Sequence, residues 1–224
     1  VFSAIAAAES VLSKRQKELG VMLLDIGGGT ANFVVYEEGV PIHAGVLPFG
    51  GNHITNDIAI GFRTAVDIAE EIKLKYGSCL PMELAKKEVI KLSDFIPGEE
   101  GSYSKRELAE IIEARLCDIF ELIQKELKRI DRVSLLPAGI VLIGGSARTP
   151  GIIELIKREL KLPAEIGVPR DFADVVEESV STILASPLGV ISWANNNGSG
   201  KNDDFIFRSR AASSLKKWLQ SFLP

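Results

Sequence analysis

Apolar positions change their period several times along the chain. Residues 1–12 are Ala-rich with helical spacing, and residues 13–20 are polar and read as a connector. Residues 21–25 form an apolar run ending in Asp25, followed by Gly27-Gly28-Gly29-Thr30. A second β-rich run at 33–36 closes at Glu38-Gly39, and a third follows at 40–47. Short β-branched runs separated by glycine turns predict a three-stranded meander. Residues 52–62 and 66–76 return to helical spacing, with Gly77 as the C-cap of the second. Residues 81–103 are mixed, with two short apolar runs and a turn at Pro97-Gly98. Ser104, with Glu107 three residues on, is a capping-box pattern opening a helix to about residue 130. Its Leu108, Ile111, Ile112, Leu116, Ile119, Phe120, Ile123 and Leu127 share one face. Residues 138–143 read as a buried strand, 150–160 as a helix, 164–166 as a short strand and 181–193 as a last helix. Strand, glycine turn, helix and strand in succession predict an α/β layer.

Composition narrows the class. The chain has 224 residues, 46% hydrophobic and 25% charged, which excludes a disordered, collagen-like or disulfide-scaffold protein. No apolar run approaches the roughly 18–20 residues of a membrane span. With 26 Lys+Arg and 30 Asp+Glu, the net charge is −4. The four basic residues Arg208, Arg210, Lys216 and Lys217 lie in residues 205–224, which contain no acid. Residues 1–204 therefore hold 22 cations against 30 acids, or −8. An acidic body with a basic tail argues against nucleic acid as the partner and for an anionic contact at the tail. Cys79 and Cys117 lack metal-ligand spacing, and no Cys cluster lies near His43 or His53, so reduced thiols and no zinc site are expected. The chain opens on Val1 within a helical pattern, so a longer N-terminal part is expected.

Three elements carry phosphate and nucleotide chemistry. Asp25-Ile26-Gly27-Gly28-Gly29-Thr30 joins two strands, and successive glycines let backbone N–H groups approach a phosphate without a Cβ in the way. Asp25 can hold a hydrated Mg²⁺, and Thr30 adds a hydroxyl. No Lys follows and no helix starts at once, so this is neither a Walker A loop nor a dinucleotide fingerprint; a purely structural hairpin stays open. Gly144-Gly145-Ser146 sits between a strand and a helix, where a purine can lie against the bare glycines and Arg148 can stack on it. A tight strand-to-helix turn is the plain alternative. Glu70 and Lys73 are three apart on one helix face and can bond ribose hydroxyls or adenine edges; a solvated ion pair is the ordinary reading.

Taken in this order, these elements resemble the actin-like ATPases, and within that superfamily the FtsA family of bacterial cell-division proteins. The matching residues are Leu19-Gly20-Val21 leading into Asp25-Ile26-Gly27-Gly28-Gly29-Thr30, then Pro48-Phe49-Gly50-Gly51-Asn52-His53-Ile54-Thr55-Asn56-Asp57-Ile58-Ala59. They continue with Ala69-Glu70-Glu71-Ile72-Lys73, Tyr76-Gly77, Ile111-Ile112-Glu113-Ala114-Arg115, and Ala138-Gly139-Ile140-Val141-Leu142 before Gly144-Gly145. The resemblance implies an α/β actin-like (ribonuclease H-like) fold, mainly the second lobe. Residues 1–48 and 137–174 would be its nucleotide-binding subdomain 2A and residues 49–136 the smaller inserted subdomain 2B. Residues 175–193 would form a helix returning to the first lobe. It further implies ATP and Mg²⁺ as cofactors. Asp25, Gly27, Gly28, Gly29 and Thr30 would form the second phosphate loop, Asp25 reaching the metal through water. Gly51 and Asn52 would lie near phosphate or ribose, Glu70 and Lys73 at ribose and adenine, and Gly144, Gly145, Ser146 and Arg148 in the adenosine loop. Two departures stand out: Asn32 replaces an acid that many relatives carry two residues after the loop Thr, and only one phosphate hairpin is present where the fold has two.

The tail adds a membrane expectation. Residues 195–204 have no apolar side chain, and residues 194–209 read as a flexible linker. In residues 210–224, Leu215, Trp218, Leu219, Phe222 and Leu223 fall on one helix face while Lys216 and Lys217 lie elsewhere, the pattern of a helix lying in a membrane interface. The resemblance then implies a protein that binds ATP with weak or no hydrolysis and self-associates into filaments. It would tether the tubulin-like FtsZ to the inner face of the cytoplasmic membrane as the division ring assembles. The rivals are a PilM-like adaptor of type IV pilus assembly and another actin-fold ATPase or kinase.

Overall fold

The computed structural model describes residues 1–95, 98, 100–170 and 178–197. The tail residues 210–224, and most of the expected linker, lie outside these described residues.

A five-stranded sheet organises the chain. Strands β1 (Val21–Ile26), β2 (Ala31–Glu37) and β3 (Val40–Leu47) form the expected antiparallel meander. Strands β4 (Val89–Lys91) and β5 (Ser102–Ser104) pair separately, within the segment whose sequence pattern is mixed. Strand β6 (Ile140–Ile143) lies parallel to β1, and β7 (Ala164–Ile166) parallel to β6, giving the order β3-β2-β1-β6-β7 in the main sheet.

The central strands are buried on both faces, and their alternation divides two cores. Met22, Leu24, Ile26, Phe33, Ile140 and Leu142 face one core. There they meet helices α3 (Gly51–Phe62), α4 (Val66–Tyr76), α5 (Lys105–Arg129) and α6 (Ile152–Leu160). Val21, Leu23, Val34, Val141 and Ile143 face the other, beneath α1 (Ser3–Val11) and α7 (Glu178–Asn197). A strand buried on both sides needs a nearly unbroken apolar run, which is why β1 and β6 read so clearly.

Helix α5 buries Leu108, Ile112, Leu116, Ile119, Phe120, Ile123 and Leu127, and Ser104 caps it by accepting from the Glu107 N–H. Arg115 grips Asp57 with two hydrogen bonds of 2.6 and 2.9 Å, tying α5 to α3. On the opposite face the alanines of α1 allow close helix contact. Ser10 Oγ donates toward the Ala7 and Ala185 carbonyls, and a Cβ at Gly189 would collide with the Ala6 carbonyl.

Besides shifts of two or three residues at other element ends, two larger differences from the sequence pattern stand out. The expected connector at 13–20 contains a helix, α2 (Lys14–Leu19), which buries no residue and so shows no apolar period. It is held by a capping box, in which Ser13 Oγ accepts from the Gln16 N–H and Gln16 returns a carbonyl to the Ser13 N–H. Helix α7 runs to Asn197, so the first residues of the expected linker are helical; helix ends fray over a turn that polar residues tolerate.

Leu24→Ala removes a fully buried side chain from the middle of β1, so unfolding by denaturant should show a loss of about 2–5 kcal/mol; a loss below about 0.5 kcal/mol would contradict this core assignment. Burial first, then the nearby Glu113 and Glu154, pushes the Cys79 thiol up to about 12. Thiolate, the reacting form, is then scarce at neutral pH. Native protein should alkylate slowly at Cys79 and faster at the half-buried Cys117, and rapid labelling of Cys79 would refute it.

Candidate functional site

The turn between β1 and β2 spans residues 27–30, with Gly28-Gly29 at its tip and the Gly27 N–H donating to the Thr30 carbonyl at 2.9 Å. The start of α3 is pressed against it. The Gly51 and Asn52 N–H groups donate to the Gly27 and Gly28 carbonyls at 2.9 and 2.8 Å. The N-cap, Gly50, sits so close that a Cβ there would lie 2.5 Å from the Gly27 carbonyl oxygen and 2.7 Å from that of Gly28. His53 Nδ1 accepts from the Gly50 N–H at 3.2 Å and completes the cap.

Behind this junction lies a polar cluster. Lys73 Nζ donates to Glu70 Oε2 at 2.6 Å, Thr55 Oγ1 at 2.7 Å and the Gly51 carbonyl at 3.2 Å. Thr55 Oγ1 is also hydrogen-bonded to Glu70 Oε2. Burial raises the Glu70 carboxyl, but the bonds from Lys73 and Thr55 and the Lys73 charge outweigh it, so the group lies below its ordinary value and stays ionised.

On the far side, β6 is followed by Gly144, whose φ of +92° suits glycine and whose close approach to Asp25 Oδ1 and the Ile26 carbonyl, each 2.5 Å from where a Cβ would stand, excludes any side chain. Gly145–Arg148 follows as a short 3-10 turn. The Gly144 N–H donates to the Thr182 carbonyl at 3.0 Å, joining this turn to α7.

These segments open onto one cleft of about 520 Å³. Its wall includes Gly27, Gly28, Gly51, Asn52, Glu70, Lys73, Gly145, Ser146 and Arg148. Cations outnumber acids there: Lys73, Lys75 and Arg148 against Glu70, among the described lining residues. Glycine backbone, one ionised carboxylate and a positive balance suit a ligand with a flat apolar part, hydroxyl donors and negative charge.

Asp25, Gly29, Thr30 and Gly144 are not on the wall. Strand parity puts Asp25 on the face of Val21 and Leu23, under α7, where Ser186 Oγ donates to its Oδ2 at 2.7 Å. Burial raises the Asp25 carboxyl and the Ser186 bond partly opposes this. Asn32 Nδ2 donates to Thr30 Oγ1 at 3.2 Å, fixing the loop hydroxyl. Thr55, Ser186 and Ile183, the last on the cleft wall, escape sequence reasoning. They are helix residues whose partners lie on other elements, and no spacing rule marks them. Among the described residues no cluster of three His, Cys, Asp or Glu can hold a metal ion, and no helix is long and apolar enough to cross a membrane.

Solved structures share this fold. MreB5 of Spiroplasma citri bound to ADP superposes with a TM-score of 0.63 at 21% identity, over 88% of this chain and 61% of that one. A PilM-PilN type IV pilus biogenesis complex gives 0.62 at 20% identity, over 84% and 49%. The fold is therefore actin-like. Among sequences, the cell division protein FtsA of Pseudomonas aeruginosa is 34% identical over 98% of this chain and 55% of its own length. That of Borreliella burgdorferi is 33% identical over 97% and 54%, and that of Escherichia coli K12 29% identical over 98% and 54%. The chain thus spans about half the length of the curated relatives it matches. The family model for cell division protein FtsA matches residues 22–189, through both glycine turns and into α7, and the chain belongs to the FtsA family of actin-like cell-division proteins.

Proposed function

We propose that the cleft binds ATP and that the whole protein uses the bound nucleotide to assemble into filaments and tether FtsZ to the cytoplasmic membrane during division-ring assembly. The observation that carries the nucleotide reading is the convergence of Gly27-Gly28, the Glu70/Lys73 pair and Gly145–Arg148 on one cleft from positions far apart in the chain. The MreB5 neighbour, described as bound to ADP, supports it by analogy of fold.

In this reading the phosphates lie against the glycine bend and Gly51, the sugar hydroxyls meet Glu70, and the purine lies on Gly145 beside Arg148. Bare backbone admits the phosphates closely, an ionised carboxylate accepts from hydroxyl donors, and glycine leaves a flat wall for a ring. Magnesium fits as an ion carried by phosphate oxygens and water, since it commonly takes only one or two protein carboxylates. Asp25, off the cleft wall and bonded to Ser186 through Oδ2, would reach one of its waters only through Oδ1, and the ion would neutralise phosphate charge. Asn32 offers no negative charge beside the loop, which favours slow hydrolysis and a binding role.

The tail reading rests on the sequence pattern alone. Leu215, Trp218, Leu219, Phe222 and Leu223 would enter the interface while Lys216 and Lys217 meet anionic headgroups.

Gly145 tests the nucleotide reading without disturbing the fold, because a Cβ there meets nothing within 4 Å. Calorimetry on the full-length protein should show Gly145→Leu weakening ATP binding by about ten- to hundredfold with the melting temperature unchanged. Undiminished binding would count against this cleft. Removing residues 213–224 should abolish sedimentation with vesicles containing anionic lipid, and unchanged sedimentation would favour a soluble pilus-type adaptor.

A further inference from the structure

Lys73 lines the cleft, yet its ammonium has three protons and three acceptors inside the protein: Glu70 Oε2, Thr55 Oγ1 and the Gly51 carbonyl. Its side chain is only 17% exposed, against 40% for Glu70. Thr55 is 3% exposed and does not line the cleft. Because Thr55 Oγ1 accepts from Lys73, its single proton is available to Glu70 or to the Gly51 carbonyl, 3.1 Å away. The ionised acceptor, Glu70 Oε2, takes it. One carboxylate oxygen of Glu70 is thus held from two sides, while Oε1 stands outside this network.

We infer that Thr55 is a positioning residue that makes the site select ligands by their sugar hydroxyls. Thr55 and Lys73 fix the Glu70 carboxylate as an acceptor at the cleft wall. Lys73 acts as an internal strut, and the ligand must supply the O–H donors. A vicinal diol, as on ribose, meets that demand, and a sugar stripped of its hydroxyls does not. Thr55 sits on α3 four residues beyond Gly51, so the same helix that abuts the glycine bend also sets the carboxylate. Orientation of the acceptor and contact with the phosphates are therefore built on one rigid element. This inference rests on the ATP reading of the cleft.

The test compares ATP with 2′,3′-dideoxy-ATP by calorimetry on the full-length protein, as wild type, Thr55→Val and Thr55→Ser. Valine keeps the shape and removes the hydroxyl; serine restores it. The wild type should prefer ATP, and Thr55→Val should lose most of that preference, roughly tenfold, through weaker ATP binding with dideoxy-ATP unchanged. Thr55→Ser should recover it. Equal loss of both nucleotides in Thr55→Val, an unchanged preference, or no rescue by serine would each overturn the positioning role. A wild type that binds both equally would also overturn it while leaving the ATP reading intact. A wild type that binds neither would refute the ATP reading and this inference with it.

Discussion

The hairpin turn after β1 and the first turn of α3 touch backbone to backbone, and the site is organised around that contact. Gly50 fits there only because it has no side chain, since the Gly27 and Gly28 carbonyl oxygens lie 2.5 and 2.7 Å from where a Cβ would stand. The N–H groups of Gly51 and Asn52, which would otherwise lack partners at a helix start, are satisfied by those same carbonyls. The consequence is directional. The glycine bend, the sheet beneath it and α3 are joined through short main-chain bonds, so a ligand resting on the bend rests on α3 as well.

From α3 the connection continues outward. Thr55 meets Glu70 and Lys73 of α4, Asp57 meets Arg115 of α5, and the apolar face of α5 lies on the sheet. On the other face, Gly144 and Asp25 are bonded to Thr182 and Ser186 of α7, which packs on α1. Both layers of helices therefore make direct polar contact with the ends of β1 and β6 or with the turns that follow them. A cleft in that position is walled by segments that are bonded to helices on both sides of the sheet.

Much of this is legible in the chain. The strands read because burial on both faces demands unbroken apolar runs, and α5 reads because one face carries its periodic Leu and Ile residues. The glycine turns read because clustered glycines mark close backbone approach, which at Gly144 leaves no room for a Cβ, although Gly29 and Gly145 have space for one. What stays hidden is what depends on residues distant in sequence. Helix α2 buries nothing and has no period to detect. Thr55 and Ser186 look like ordinary polar helix residues until their partners, 15 and 161 positions away, are brought beside them. Asp25 can be identified as the end of a strand, but which way it faces is fixed only when parity sets Val21 and Leu23 beneath α7. Lys73 looks like a ligand contact in sequence because nothing there shows that its protons are engaged within the protein.

The central claim is that three distant segments share one nucleotide. Its most direct test is a crystal structure of the full-length protein with a non-hydrolysable ATP analogue and magnesium. The phosphates should lie over Gly27-Gly28 and Gly51, the sugar beside Glu70 and the purine against Gly145. An analogue seated elsewhere, or one that contacts the glycine bend while its sugar and base point away from Glu70 and Gly145, would contradict it.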